Sequence, residues 1–202
     1  KPAAFIFALL FPILLAAQSL VFNTYTPADG LADAGSKDLP GQIVTQKIAK
    51  LNRIKNYSED VDLLAYCLMP NHVHLLVRQN NASDLASFLH SLHTRYAMYF
   101  NLKYKRQGVL FESKYKSKLI TTDKYLVYVS KYIHANPIDL CKRIENYSWS
   151  SMSFYDNERQ PKWLHTDLVV KKFIISSYAR TFNSYSDYVK DQLDMGGPCY
   201  FP

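Results

Sequence analysis

The sequence predicts an α+β domain, because helix-like and strand-like apolar patterns alternate along the chain from residue 43 onward. Apolar residues recur at helical spacing over Ile43–Ile54. Residues 61–77 are strand-like on both sides of a break at Met69-Pro70-Asn71. From Leu85, apolar residues follow at 3, 4, 7, 11 and 14 positions, which is the pattern of an amphipathic helix. A chain of 202 residues fits one such domain with an accessory element.

The second half of the chain continues the same alternation. Residues 109–120 are expected to form a strand or hairpin that carries three lysines on one face: Lys114, Lys116 and Lys118. Thr122 is a suitable N-cap for a second long helix. This helix should end by Asn136, because Pro137 disfavours helical geometry in the residue before it. Two further helical stretches are predicted at residues 167–178 and 184–193.

Composition and charge narrow the class of protein. With 48% hydrophobic and 20% charged residues the chain is typical of a globular protein. The net charge of +7 suits a polyanionic partner, although a merely basic surface is an equally good explanation. Some of the 16 tyrosines could stack on unpaired bases, while most should be packing residues. The three cysteines form no CxxC pair, which argues against a disulfide framework and a zinc knuckle and favours a reducing compartment.

The N-terminal segment is atypical, since Phe5–Phe22 is almost wholly apolar and Pro12 interrupts it. A signal sequence, a short membrane span and a buried helix are all open interpretations. We expect residues 1–41 to form a loosely attached segment and linker that contributes nothing essential to the functional site. On this division, residues 42–155 form the main domain, which carries the candidate functional residues, and residues 156–202 form a helical C-terminal extension.

Two histidines mark a candidate metal site. Because side chains alternate along a strand, His72 and His74 should point to one face, with Val73, Leu75 and Val77 directed into the core. Two imidazoles on a rigid strand supply half of a metal site. The alternative is a pair of ordinary surface histidines.

A second candidate motif lies on the helix after Thr122. Tyr132 and Asn136 are four residues apart and therefore share one helix face. The Asn136 oxygen could complete a metal site begun by two histidines, and Tyr132 could then attack a bound phosphate. Spacing alone favours a different role for Tyr132, because Tyr125 and Tyr128 follow the same helical period and all three could be core residues.

Taken together, these motifs resemble those of the HUH single-tyrosine transposases, particularly the type associated with repetitive extragenic palindromes (REP). The resemblance runs from about Ile43 to Ser151, and more loosely to Leu193. It rests on five segments in the expected order: Cys67–Val77, Tyr99–Asn101, Arg106–Tyr115, Tyr132–Pro137 and Tyr147–Ser151.

The resemblance implies a fold and a set of roles. The fold would be a ferredoxin-like antiparallel sheet with flanking helices and a helical C-terminal extension, with the tyrosine helix packed over a central HUH strand. His72, His74 and Asn136 would bind Mg²⁺ or Mn²⁺, and Tyr132 would be the nucleophile. The activity would be nicking and rejoining of single-stranded DNA through a 5′-phosphotyrosine, without a small-molecule cofactor.

The implied partner is single-stranded or hairpin DNA with palindromic repeat ends, and the implied place of action is the cytoplasm. The resemblance also allows a homodimer. Basic side chains are expected to hold the DNA backbone, with Lys131 helping to activate Tyr132, although a solvated face would explain the same charges. These side chains are Arg95, Arg106, Lys114, Lys116, Lys118 and Lys131.

One departure from the family keeps alternatives open. Relatives begin with a strand ahead of the first helix, and nothing comparable is evident in residues 1–41, so the sheet would have an open edge. A catalytically decayed or domesticated protein that binds DNA hairpins without cutting is one alternative. A histidine-triad nucleotide hydrolase is another, but it would require a third histidine where this chain has Leu76.

Overall fold

The computed structural model describes residues 4–10, 55–111, 113–140, 144–157 and 160–191. Contacts group residues 1–20 with residues 58–202 in one compact unit and residues 21–57 in another. The helix expected over Ile43–Ile54 lies outside the described residues, and so does most of the second unit. The first unit contains every element that positions the candidate site.

A four-stranded sheet forms the centre of the first unit. Its strands are β1 (Ala4–Leu10), β2 (Val61–Leu68), β3 (Val73–Gln79) and β4 (Lys116–Ile120). Their order is β2-β3-β1-β4, and each neighbouring pair is antiparallel. This is the strand order of a ferredoxin-like sheet, so the predicted α+β class and antiparallel sheet are confirmed.

Strand β1 corrects the expectation for the N-terminus. It lies between β3 and β4, in a register that runs from Ala4 opposite Gln79 to Leu10 opposite Val73. The prediction of a loosely attached segment is therefore wrong for residues 4–10, and the expected open edge beside β3 is absent. The 18-residue apolar run Phe5–Phe22 contains six of the seven β1 residues and shows no alternation, so the strand could not be recognised within it.

Among the described residues, four α-helices accompany the sheet: α1 (Asp84–Lys103), α2 (Asp123–Ala135), α3 (Asp167–Ile175) and α4 (Tyr185–Lys190). The predicted start of α2 is confirmed, because the Thr122 hydroxyl accepts a hydrogen bond from the Tyr125 N–H at 3.2 Å. The helix ends at Ala135, and a short 3₁₀ turn containing Pro137 follows. Among the described residues, no helix is both long and apolar enough to cross a membrane.

The strand predicted over residues 109–120 is shorter than expected, since only Lys116–Ile120 pairs in the sheet. Leu110 is buried instead against Tyr96 and Phe100 of α1. This contact directs the chain toward the helix before it enters the sheet, so Lys114 lies on an exposed loop and Lys116 and Lys118 on the strand.

Helix α2 packs between the sheet and the C-terminal helices. One buried cluster contains apolar side chains from β2, β3, α2, α3 and α4, among them Leu64, Leu76, Ile133, Val169, Phe173 and Val189. The C-terminal extension is thus part of the same core as the tyrosine helix.

A buried polar network adds to this packing and centres on His134. Its Nδ1 lies 2.9 Å from the Tyr185 hydroxyl of α4, and its Nε2 lies 2.7 Å from Ser151 Oγ. Tyr185 donates in turn to Ser130 Oγ at 2.9 Å, and the Tyr66 N–H of β2 donates to Ser151 Oγ at 2.9 Å. Burial lowers the pKa of His134 to about 3, so the ring is neutral and can both donate and accept. The network therefore links α2 to both β2 and α4.

We predict that Ala8→Pro strongly destabilises the protein. In a central strand every backbone N–H is directed at one neighbour or the other, and Ala8 faces Leu75 and Ser117. The substitution should lower the free energy of unfolding by about 3 kcal/mol or more, measured by urea denaturation. Ala8→Gly, which keeps the N–H, is the matched control and should cost about 1 kcal/mol. If both variants are as stable as the parent, residues 4–10 are not in the sheet.

We also predict that His134 contributes to acid destabilisation. Its folded-state pKa of about 3 lies below the unfolded value of 6.5, so the unfolded chain binds more protons below pH 6.5. The associated stability is fully present above pH 6.5 and is lost as the pH falls toward 3. His134→Gln should reduce the pH dependence of the unfolding free energy by up to about 1.4 kcal/mol per pH unit in this window. His90→Gln removes an exposed imidazole as the control, and equal reductions in both variants would contradict the assignment.

Candidate active site

The turn between β2 and β3 places His72 at the start of β3. The Met69 N–H donates to the His72 carbonyl at 2.8 Å and closes a tight turn around Pro70 and Asn71. At the end of β2, the Tyr147 hydroxyl donates to the Leu68 carbonyl at 2.6 Å. The turn is therefore braced from two directions, by its own backbone and by the segment that follows α2.

The rings of His72 and His74 lie together, as strand alternation predicts. Their centroids are 4.6 Å apart, and one ring meets the other edge-on. The face that they share is covered by α2 and is not open to solvent, so His74 is only 1% exposed while His72 is half-buried. Neither histidine is thus an ordinary surface residue.

Helix α2 brings Tyr132 and Asn136 to the same place. The Tyr132 ring lies 5.5 Å from the His74 ring, at an interplanar angle of 89°. The Asn136 side chain acts on the pKa of the His74 ring, and its Nδ2 donates to the Tyr132 carbonyl at 2.7 Å. Two residues from β3 and its turn therefore meet two residues from one face of α2.

The electrostatics of the site keep both histidines neutral. Burial, together with the neighbouring His72, lowers the pKa of His74 to about 3, and the opposing effect of the Asn136 side chain is smaller. Burial also lowers the pKa of His72. The Asn71 oxygen lies 2.6 Å from His72 Nδ1 and, as an acceptor, favours the proton on that nitrogen. His72 then carries its lone pair on Nε2, as histidine ligands of metals often do.

Within the described residues, no group of three His, Cys, Asp or Glu side chains is placed to hold a metal ion. The donor set at this site is two neutral imidazoles with a half-buried amide, without a carboxylate. A bound divalent ion would therefore keep most of its charge, which suits the binding of an anionic ligand such as a phosphate.

Five of the six basic residues expected to bind DNA are exposed, and they lie on three separate parts of the fold. Arg95 is on α1, Arg106 and Lys114 are on loops, and Lys116 and Lys118 are on β4. Since β4 is an edge strand of the sheet, lysines at these positions would also protect the edge from pairing with another chain.

The expectation for Lys131 is wrong. Its side chain is buried, forms an ion pair with Asp191 at 3.2 Å, and lies 4.3 Å from the centroid of the Tyr188 ring. These contacts hold Asp191 and Tyr188 against α2 and keep the Lys131 side chain buried in the core. Lys131 follows Ser130 and precedes Tyr132 in sequence, but consecutive helix residues point in different directions.

Residues that sequence reasoning did not single out hold the site in place. Tyr147 and Ser151 belong to the last of the five family-like segments, and both hydrogen-bond to β2, at Leu68 and Tyr66 respectively. His134 and Tyr185 carried no signal by themselves. An alternation of buried and exposed positions cannot show that two polar side chains 51 residues apart will meet in a core.

The chain is similar to known transposases. Residues 37–136 match the model of the family described as "Transposase IS200 like". A solved structure of a REP-associated tyrosine transposase, bound to a REP hairpin, aligns with a TM-score of 0.47 at 12% identity, over 77% of this chain and 79% of that one. No curated protein matches the sequence. The segment matched by the family model contains His72, His74, Tyr132 and Asn136, and through it this chain belongs to the family of IS200-like transposases.

Proposed function

We propose that this protein cuts and rejoins single-stranded DNA through a transient covalent bond between Tyr132 and a 5′-phosphate. The observation that carries the proposal is the position of the Tyr132 ring, 5.5 Å from His74 and on the same helix face as Asn136. Tyr125 and Tyr128, which follow the same helical period, stack on each other with ring centroids 6.2 Å apart.

A divalent ion is part of this proposal, with His72, His74 and Asn136 as the residues that would hold it. Their chemistry fits, because the two imidazoles are neutral and Mn²⁺ or Mg²⁺ accepts an amide oxygen beside them. When bound, the ion would offset the negative charge that develops on the phosphoryl oxygens. No other cofactor is needed for the reaction.

The reaction exchanges one phosphodiester for another. The Tyr132 oxygen forms a bond to phosphorus, the bond from phosphorus to the 3′-oxygen breaks, and that oxygen leaves as a 3′-hydroxyl after taking up a proton. A second 3′-hydroxyl can then attack the phosphotyrosine and restore the strand without ATP. The phenol proton must pass to solvent or to a group other than Lys131, which is paired with Asp191.

Hairpin or single-stranded DNA with palindromic repeat ends is the proposed substrate, and the cytoplasm the proposed place of action. The net charge of +7 and the exposed lysines of β4 support binding of a polyanion. The alternative, a decayed protein that binds hairpins without cutting, was favoured by an N-terminus that lacked a strand. Because residues 4–10 form β1, that observation no longer supports it.

We predict that Tyr132→Phe abolishes the covalent protein–DNA adduct and leaves hairpin binding within about threefold, since one hydroxyl contributes little to a charge-dominated interface. The measurement is a gel shift of end-labelled hairpin DNA, resistant to denaturation, in the presence of Mn²⁺. Tyr125→Phe and Tyr128→Phe are controls that should form the adduct. Loss of the adduct in either control, with survival in Tyr132→Phe, would refute the assignment of the nucleophile.

We further predict that the metal site depends on Asn71 as well as on its ligands. Asn71→Ala removes the acceptor that orients the His72 ring, and such losses typically weaken metal binding about 10–100-fold. His72→Ala should weaken binding at least as much. Calorimetric titration with Mn²⁺ measures both, with His90→Ala as the control for loss of an exposed histidine. Unchanged affinity in His72→Ala would show that the ion binds elsewhere.

A further inference from the structure

An exposed aromatic and basic surface lies at the C-terminal end of α1. Tyr99 and Tyr104 are each 47% exposed, and Leu102 between them is 76% exposed. Lys103, Lys105 and Arg106 are exposed beside them. We call Tyr99, Lys103, Tyr104, Lys105 and Arg106 the α1 platform. A contiguous group of large apolar side chains that is exposed to solvent often marks a binding surface.

Within the part of the chain that the structure describes, the positive charge of the platform is not paired with a carboxylate. Lys103 Nζ lies 5.6 Å from the Tyr99 ring centroid and 5.4 Å from that of Tyr104. Residues 85–111 include Arg95, Lys103, Lys105 and Arg106 but no Asp or Glu. In the described part of the chain, no acidic side chain forms an ion pair with the three cations of the platform. The ligand is therefore expected to be anionic and to have flat apolar faces.

The platform is also held in shape. The Asn101 side-chain amide donates to the Gly108 carbonyl at 2.9 Å, and the Asn101 backbone carbonyl accepts from the Arg106 N–H at 2.8 Å. Lys105 adopts a left-handed φ of 52°, which is uncommon for a residue with a side chain. A cleft of ≈ 480 Å³ at the end of α1 is lined by Asn101, Leu102, Lys105, Arg106 and Gln107. A rigid surface loses little conformational entropy when it binds.

We propose that the α1 platform binds single-stranded DNA, with bases stacked on Tyr99 and Tyr104 and phosphates held by Lys103, Lys105 and Arg106. Unpaired bases expose the ring faces that exposed tyrosines can cover, whereas a duplex hides them. Lys103 is exposed and flexible, so it can move from the tyrosine rings to a phosphate. A second copy of this chain is a poorer occupant, because it would bring like charges together. The proposal rests on the proposed action on DNA but not on the role of Tyr132.

The test compares two paired substitutions in the full chain, Tyr99→Leu with Tyr104→Leu and Tyr99→Phe with Tyr104→Phe. Both pairs remove the hydroxyl groups, but only the first removes the rings. The probe is a mixed-sequence single strand of about 20 nucleotides, longer than the site of one binding domain, with 2-aminopurine at internal positions. Anisotropy gives the affinity, and quenching of 2-aminopurine reports stacking. Thermal unfolding of each variant checks that the fold is retained.

The leucine pair should bind the strand about tenfold or more weakly and lose the quenching, since each stacked base contributes about 1–3 kcal/mol. The phenylalanine pair should bind within about threefold of the parent. Lys103→Gln should reduce the slope of log affinity against log salt by about 0.7, as one phosphate contact does on a single strand. The parent should bind a duplex of the same sequence without quenching.

Three results would overturn the proposal: equal binding by the leucine pair and the parent, equal weakening by both pairs, or a leucine pair that changes only the self-association measured by sedimentation. Tyr132→Phe is measured in the same assay and should bind and quench like the parent. If no adduct forms in any variant but the platform results hold, the proposed chemistry fails while this inference stands.

Discussion

Helix α2 is held at a fixed depth over β3, and the candidate site depends on that depth. Tyr132 and Asn136 reach His74 only because the inner face of the helix is packed into the core and bonded through His134 to Ser151 and Tyr185. Hydrogen bonds require a narrow range of distances and angles, whereas apolar contacts are not directional. This network therefore limits sliding and rotation of the helix. A shift of one residue would turn Tyr132 away from the histidines.

Burial of the site changes both the protonation of His74 and the strength of electrostatic interactions around it. Removing His74 from water makes its charged form unfavourable, which lowers its pKa to about 3 and keeps the lone pair of the ring available at neutral pH. The same low-dielectric surroundings strengthen any interaction with a developing negative charge. Among the residues that the structure describes, no carboxylate joins His72 and His74 to add negative charge to the site.

Strand β1 and the residues around α4, which are far apart in sequence, support the site from opposite sides. Strand β1 gives β3 a partner along its whole length, with Leu9 opposite His74, while β2 pairs on the other edge with Cys67 opposite the same residue. On the far side of α2, Asp191 and Tyr188 enclose Lys131. The strand that carries His74 and the helix that carries Tyr132 are thus each fixed by segments distant in sequence, which is how a small domain obtains a rigid site.

The resemblance to a known family, and not spacing, indicated the residues that gather at the site. Local patterns in the sequence were sufficient to predict the α+β class, β2 and β3 around Pro70, and both ends of α2. Each of these depends on side-chain periodicity, capping or proline geometry within a few neighbouring residues. The N-terminal strand, the burial of Lys131 and the network around His134 were decided only by the tertiary structure. A short apolar run is compatible with either a strand or a helix until the elements packed against it are known. A lysine or a histidine is buried only when distant residues, such as Asp191 or Tyr185, supply its partner.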